Sequence, residues 1–152
     1  MIKTEEMEKL PEGWKRVRLR EIVSLEYGKG LSDQDRVFGE YPVYGSNGIV
    51  GCHDKFLVKG PGIIVGRKGA MGEISWSNLD FWPIDTTYFV KAKKDDISLK
   101  WLFLELINLD LKRLTLSDII PGLNRNDVYL LEIPLPPLPE QQKIAEILET
   151  VD

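Results

Sequence analysis

The sequence predicts one domain of mixed strand and helix, built around a sharply bent β-sheet. Residues 41–72 hold eight of the chain's thirteen glycines, with short β-prone runs between them at Ile49-Val50, Phe56-Leu57-Val58 and Ile63-Ile64-Val65. Glycine admits positive φ and close backbone approach, so strands cut this often by glycine bend rather than run flat. Leu99, Leu102, Phe103, Leu106 and Ile107 recur at the i, i+3, i+4, i+7, i+8 spacing of one helix face. Pro134, Pro136, Pro137 and Pro139 then mark a boundary, and a one-sided apolar stripe follows them.

A chain of 152 residues suits one domain with a real core, and 43% hydrophobic and 29% charged content is ordinary for a globular protein. A single cysteine, Cys52, excludes an internal disulfide and a cysteine-based zinc site. A single histidine, His53, argues against most histidine metal sites and against Ser-His-Asp triads. No apolar run approaches the roughly 20 residues of a membrane span. The N-terminus lacks the apolar segment of a signal peptide, so the chain reads as intracellular. A net charge of -4 counts against a free-standing nonspecific DNA binder. The charge is unevenly placed, however: residues 29–94 carry nine Lys/Arg against seven Asp/Glu, and the acidity sits at the two ends.

Taken in order, residues 1–10 are polar and charged and read as a frayed end or a weak helix. Leu10-Pro11-Glu12-Gly13-Trp14 is a turn, and residues 15–19 alternate polar and apolar as a half-exposed strand does. Residues 19–23 fit a short helix, with Gly28 and Gly30 ending it or the segment after it. Residues 32–39 form a polar loop. Strands follow near 42–44, 48–51, 56–58, 62–66 and 72–76, then a turn at 78–80 and a strand over 86–92 rich in β-branched and aromatic side chains. Ser98 caps a helix over 99–108, whose apolar face Trp101 and Leu104 widen. A second short helix covers 110–114. Pro121-Gly122 breaks the chain, Asn124 or Asn126 caps one helical turn, and residues 129–134 return as a strand. Residues 135–139 read as a stiff proline linker, with Pro139 suited to a first helical turn. From Glu140 onward, Ile144, Ile147, Leu148 and Val151 make the apolar stripe. A helix of about a dozen residues with one wet apolar face is marginal alone, so this one docks on something or continues as a longer helix.

Gly66, Gly69 and Gly72 fit neither phosphate-loop pattern, which sets nucleotide binding aside. Cys52-His53 has the residue types of a nucleophile and a base, but strand neighbours point to opposite faces. The pair reads as a packed cysteine beside an exposed histidine. Asp85-Thr86-Thr87 reads as hydrogen bonding at a strand start, and Trp76, Phe81, Trp82, Tyr88 and Trp101 read as core. Three polar tips stand beside glycine, where a bulky partner can approach: Ser46-Asn47, Arg67-Lys68 and Asn124-Arg125. Singly, such tips are more often solvated turns. Together they carry the residue types that grip phosphates and read base edges.

The segments LPEGWKRVRL, YPVYGSNGIVG, GPGIIVGRKGAMG, FWPIDTTYFV, PGLNRNDV and IPLPPLPEQQKIAEIL stand in this order. Together they resemble the target recognition domain of type I restriction–modification specificity subunits, from about residue 10 to the end. The resemblance implies an α/β (α+β) fold: a strongly curved, glycine-rich sheet with packed helices, ending in the start of a long spacer helix of coiled-coil type. Residues 1–134 would be the recognition domain, 135–139 the linker and 140–152 the start of the spacer. In that family each subunit carries two recognition domains, each reading half of a split DNA site, and the spacer helices dock the methyltransferase subunits.

The implied partners are double-stranded DNA, the methyltransferase and restriction/motor subunits, and a second copy or second recognition domain against the terminal helix. No membrane is implied, and the setting is the prokaryotic cytoplasm. No cofactor is implied in this chain, since S-adenosylmethionine, ATP and magnesium belong to the partner subunits. DNA contact falls to Ser46, Asn47, Arg67, Lys68, Asn124 and Arg125, and residues 122–124 open a helical turn whose N–H groups would hold a phosphate. Partner docking falls to Ile144, Ile147, Leu148 and Val151. No catalytic or metal-ligating residue is assigned. Two rivals stand beside this reading. One is a small hydrolase using Asp85 with Cys52 or His53, which demands a cleft where they converge. The other is a structural adaptor acting through the 140–152 helix.

Overall fold

The computed structural model of the chain describes residues 9–116 and 120–150. Its strands fall into three small sheets. Strand β1 (Lys15–Arg18) pairs antiparallel with β9 (Glu132–Leu135), which brings the two ends of the domain together. Between them in sequence lie β2 (Val23–Tyr27), β5 (Gly62–Gly66), β6 (Ile74–Ser77) and β8 (Thr87–Ala92), an antiparallel sheet in the order β2-β8-β5-β6. The third sheet, in the order β4-β3-β7, holds β3 (Tyr41–Gly45), β4 (Gly48–His53) and β7 (Trp82–Pro83). Its register shifts between Val43 and Tyr44, an irregularity of the kind that bends a strand.

Strand β5 explains why its sequence is apolar throughout. Alternate residues point to opposite faces. Ile63 and Val65 enter the main core, while Ile64 joins Tyr44 and Phe81 in a smaller core. Both faces are therefore buried, as a continuous apolar run requires. The main core continues through Leu19 and Ile22 of α1 (Leu19–Ile22), Leu102 and Leu106 of α2 (Leu99–Leu109), and Val128 of α3 (Arg125–Tyr129). Burying one such side chain is worth about 1.5–3 kcal/mol. At the start of α2, Ser98 Oγ accepts the Trp101 N–H at 3.2 Å, the cap expected of it. Asp110 ends the helix in the left-handed region, φ 52°, where short polar side chains are tolerated.

Helix α4 (Leu138–Thr150) begins two residues before the expected Glu140, with the Pro137 carbonyl accepting the N–H groups of Glu140 and Gln141, each at 3.0 Å. It lies along the domain: Ala145 is buried, Ile144 packs on the main core, and Lys100 pairs with Glu149 at 3.2 Å. Trp14 donates its indole N–H to Glu140.

Two expected strands need correction. The strand expected near 56–58 is only an isolated bridge between Val58 and Phe81, and residues 56 and 57 are exposed. Helix α1 ends at Ile22 and β2 follows it without a spacer, so Gly28 closes the segment after the helix, the second of the two expected outcomes. The strand expected over 129–134 is shifted to 132–135, because α3 runs on to Tyr129.

Candidate nucleic-acid interface

Two of the three polar tips meet. Arg67, Lys68, Asn124 and Arg125 line one open cleft of about 770 Å³, together with Tyr27, Tyr88 and Asp127. Backbone bonds assemble it. The N–H groups of Arg67 and Lys68 both reach the Thr86 carbonyl, at 2.9 and 3.1 Å, and so fix the loop after β5. The Arg67 carbonyl accepts the Leu123 N–H at 2.7 Å and ties the segment before α3 to that loop. The Leu123 carbonyl accepts the Tyr88 hydroxyl at 2.6 Å. Burial pushes the Tyr88 phenol up from its ordinary value, with nearby Tyr27 adding to the rise and Arg125 and Arg67 opposing it.

The arginines are held but not neutralised. Arg67 donates through Nε at 3.1 Å and through Nη2 to the Asp85 carbonyl, and Arg125 donates through Nη1 to the Leu25 carbonyl at 2.9 Å. Among the described residues, the ion pairs involve none of Arg67, Lys68 and Arg125. Asn124 Oδ1 accepts the Asn126 N–H at 2.9 Å, the cap expected of it. That bond and the Leu123–Arg67 bond already use two N–H groups of the segment expected to hold a phosphate.

The third tip does not line this cleft. Ser46 is half-buried, and its Oγ accepts the Ala70 N–H at 3.1 Å, bracing the turn between β3 and β4 against the loop of Arg67 and Lys68. That packing requires glycine at position 66, where a Cβ would run into the Ala70 carbonyl. Asn47 is exposed at the tip of the same turn. Of the docking residues, Ile144 faces the domain's own core, Ile147 and Leu148 are 52% and 46% exposed, and Val151 lies outside the described residues.

The sequence reading missed Tyr27, whereas Tyr88, expected in the core, lies in it. Their register as partners across β2 and β8 sets the rings 5.5 Å apart at a tilt and puts Tyr27 at the cleft. The signal was the alternation of Val23, Leu25 and Tyr27, an unrecognised strand.

The hydrolase constellation does not form in the cleft, which none of Asp85, Cys52 and His53 lines. The histidine expected to be exposed is only 6% exposed: its Nδ1 accepts the Val37 N–H at 3.0 Å, and its ring packs edge-on against Trp82 at 5.4 Å. Cys52 is the half-buried member of the pair. Asp85 is exposed and engages Arg67 through its backbone.

Residues 11–152 match the family model described as the type I restriction modification DNA specificity domain. The chain belongs to this family. The EcoprrI specificity subunit of Escherichia coli is 26% identical over 144 residues, covering 91% of this chain and 36% of that protein. A putative type I specificity subunit of Haemophilus influenzae is 25% identical, covering 95% and 40%. This specificity domain thus spans about two fifths of the curated relatives it matches.

Solved structures agree on the fold. The S subunit from M. genitalium superposes with a TM-score of 0.81 at 20% identity, covering 93% of this chain and 39% of that one. The HsdS subunit from Thermoanaerobacter tengcongensis superposes at 0.70 with 22% identity, covering 94% and 38%. The expected α/β fold is thereby established. Among the described residues, no helix is long and apolar enough to cross a membrane.

Proposed function

We propose that this specificity domain reads one half of a split site in double-stranded DNA, as part of a type I restriction–modification specificity subunit. The observation that carries the reading is the convergence of Arg67, Lys68, Asn124 and Arg125 on one cleft whose cations enter no ion pair among the described residues. Cations supply the sequence-independent hold on phosphates, while asparagine and arginine carry the donor–acceptor sets that tell bases apart. Asn47, at the neighbouring turn, extends the contact surface.

The net charge of -4 fits a reader that works inside a larger assembly. There the methyltransferase and restriction/motor subunits share the phosphate contacts and carry S-adenosylmethionine, ATP and magnesium. The chain's own role is recognition rather than catalysis, in the prokaryotic cytoplasm, and α4 joins it to a second recognition domain or a partner subunit. Deuterium exchange with and without a duplex pool tests the reading. Protection is expected at residues 67–68 and 122–126, and protection confined to other surfaces would refute it.

A further inference from the structure

We infer that Tyr27 is the platform that fixes Arg67 and Arg125 as a two-pronged clamp on the phosphodiester backbone, a positioning role that rests on the DNA reading above. Tyr27 ends β2 with its side chain 52% exposed at the cleft. Guanidinium carbons from two different elements come to its ring, Arg67 at 5.3 Å and Arg125 at 4.5 Å from the centroid. The ring of Tyr88 braces it at 5.5 Å.

Each cation is attracted to the ring's π-face, yet two like charges around one ring repel each other. An anion bound at the cleft relieves that repulsion. The tethers do not supply one: the Asp85 and Leu25 carbonyls accept N–H groups without cancelling charge. Asp127, also at the cleft, pairs with neither arginine.

Among the described residues, each fork also keeps unused donors, Nη1 on Arg67 and both Nε and Nη2 on Arg125. Rigid forks with spare donors suit phosphate oxygens. Arg67 has already spent its Nε–Nη2 edge on Asp85, so that edge is closed to a guanine. A contact to phosphate oxygens contributes affinity rather than sequence choice.

Binding of the chain, within its specificity subunit and alongside its methyltransferase partner, to a pool of random duplexes over a range of salt, with sequencing of the bound fraction, tests this. Tyr27→Leu should weaken binding about tenfold, or roughly 1.4 kcal/mol. It should also reduce the salt slope by about one to two phosphate contacts and leave the bound sequences unchanged. Tyr27→Phe, which keeps the ring, should bind as wild type. Arg125→Ala should cost less in the Tyr27→Leu background than alone, a coupling that general loss of stability does not produce.

Unchanged binding by Tyr27→Leu would overturn the platform role. So would relaxed sequence choice, or weakening that only follows a lower melting temperature at an unchanged slope. A wild-type specificity subunit that binds no duplex alongside its methyltransferase partner would overturn the DNA reading itself, and the clamp with it.

Discussion

The side-chain amide of Gln141 closes onto the backbone N–H of Ser98, its Oε1 at 2.8 Å, and so joins α4 to the residue that caps α2. Its Nε2 donates to the carbonyls of Asp96 at 3.1 Å and Pro136 at 2.8 Å. Gln141 is 1% exposed, so this polar latch is dry. Truncation strands one N–H and two carbonyls, and a stranded buried group costs about 1–3 kcal/mol. Gln141→Ala should therefore lose about 2–4 kcal/mol in urea unfolding. A loss below about 0.5 kcal/mol would mean that the latch does not hold the helix.

Tyr88 makes a pH-dependent contribution. Burial first, then nearby Tyr27, raises its phenol above 10.0. A folded value above the unfolded one means that the contribution is complete below pH 10 and is lost as pH rises through the raised value. Tyr88→Phe removes the hydroxyl from the Leu123 carbonyl and should cost about 1–2 kcal/mol at pH 7. Thermal unfolding from pH 7 to 11 should fall away more steeply for wild type than for the variant. Parallel curves would contradict this.

Glu105 lies half-buried on α2, and desolvation raises its carboxyl above 4.5. The sign follows: folding is unhindered while the group is protonated and loses free energy as pH climbs through the raised value. Glu105→Gln should raise the melting temperature at pH 7 and leave it unchanged at pH 3. Equal melting at pH 7 would exclude the effect.

These three sites show where sequence reasoning stops. The amphipathic face of α2 and its Ser98 cap were readable because both are local. So were β5 and the glycines that let Ser46 brace the Arg67 loop. The latch at Gln141 was not: its partners lie 43 and 45 residues away in Ser98 and Asp96, and nothing local marks a glutamine as buried. His53 was misjudged because its acceptor role is set by Val37, on a loop folded back along β4. Half of the cleft was legible as glycine-flanked cations. Tyr27 was hidden, because a five-residue strand running straight out of a one-turn helix leaves little periodicity to detect.

Ser46 should act through the loop it braces. Ser46→Ala removes the acceptor of the Ala70 N–H and should cost about 1 kcal/mol of stability. DNA affinity should fall less than in Lys68→Ala, whose ammonium is exposed. Duplex titration of both variants checks the order, and a larger loss for Ser46→Ala would make its hydroxyl a direct contact.

The most direct measurement is the map of bases methylated when this chain, within its specificity subunit, is reconstituted with its methyltransferase partner. Wild type should give one defined half-site. Joint alanine substitution of Lys68, Asn124 and Arg125 should reduce overall methylation through the lost cations and blur that half-site through Asn124, a lost base-edge contact being worth roughly 1–3 kcal/mol. An unchanged half-site methylated at unchanged efficiency would contradict the assignment of recognition to this cleft.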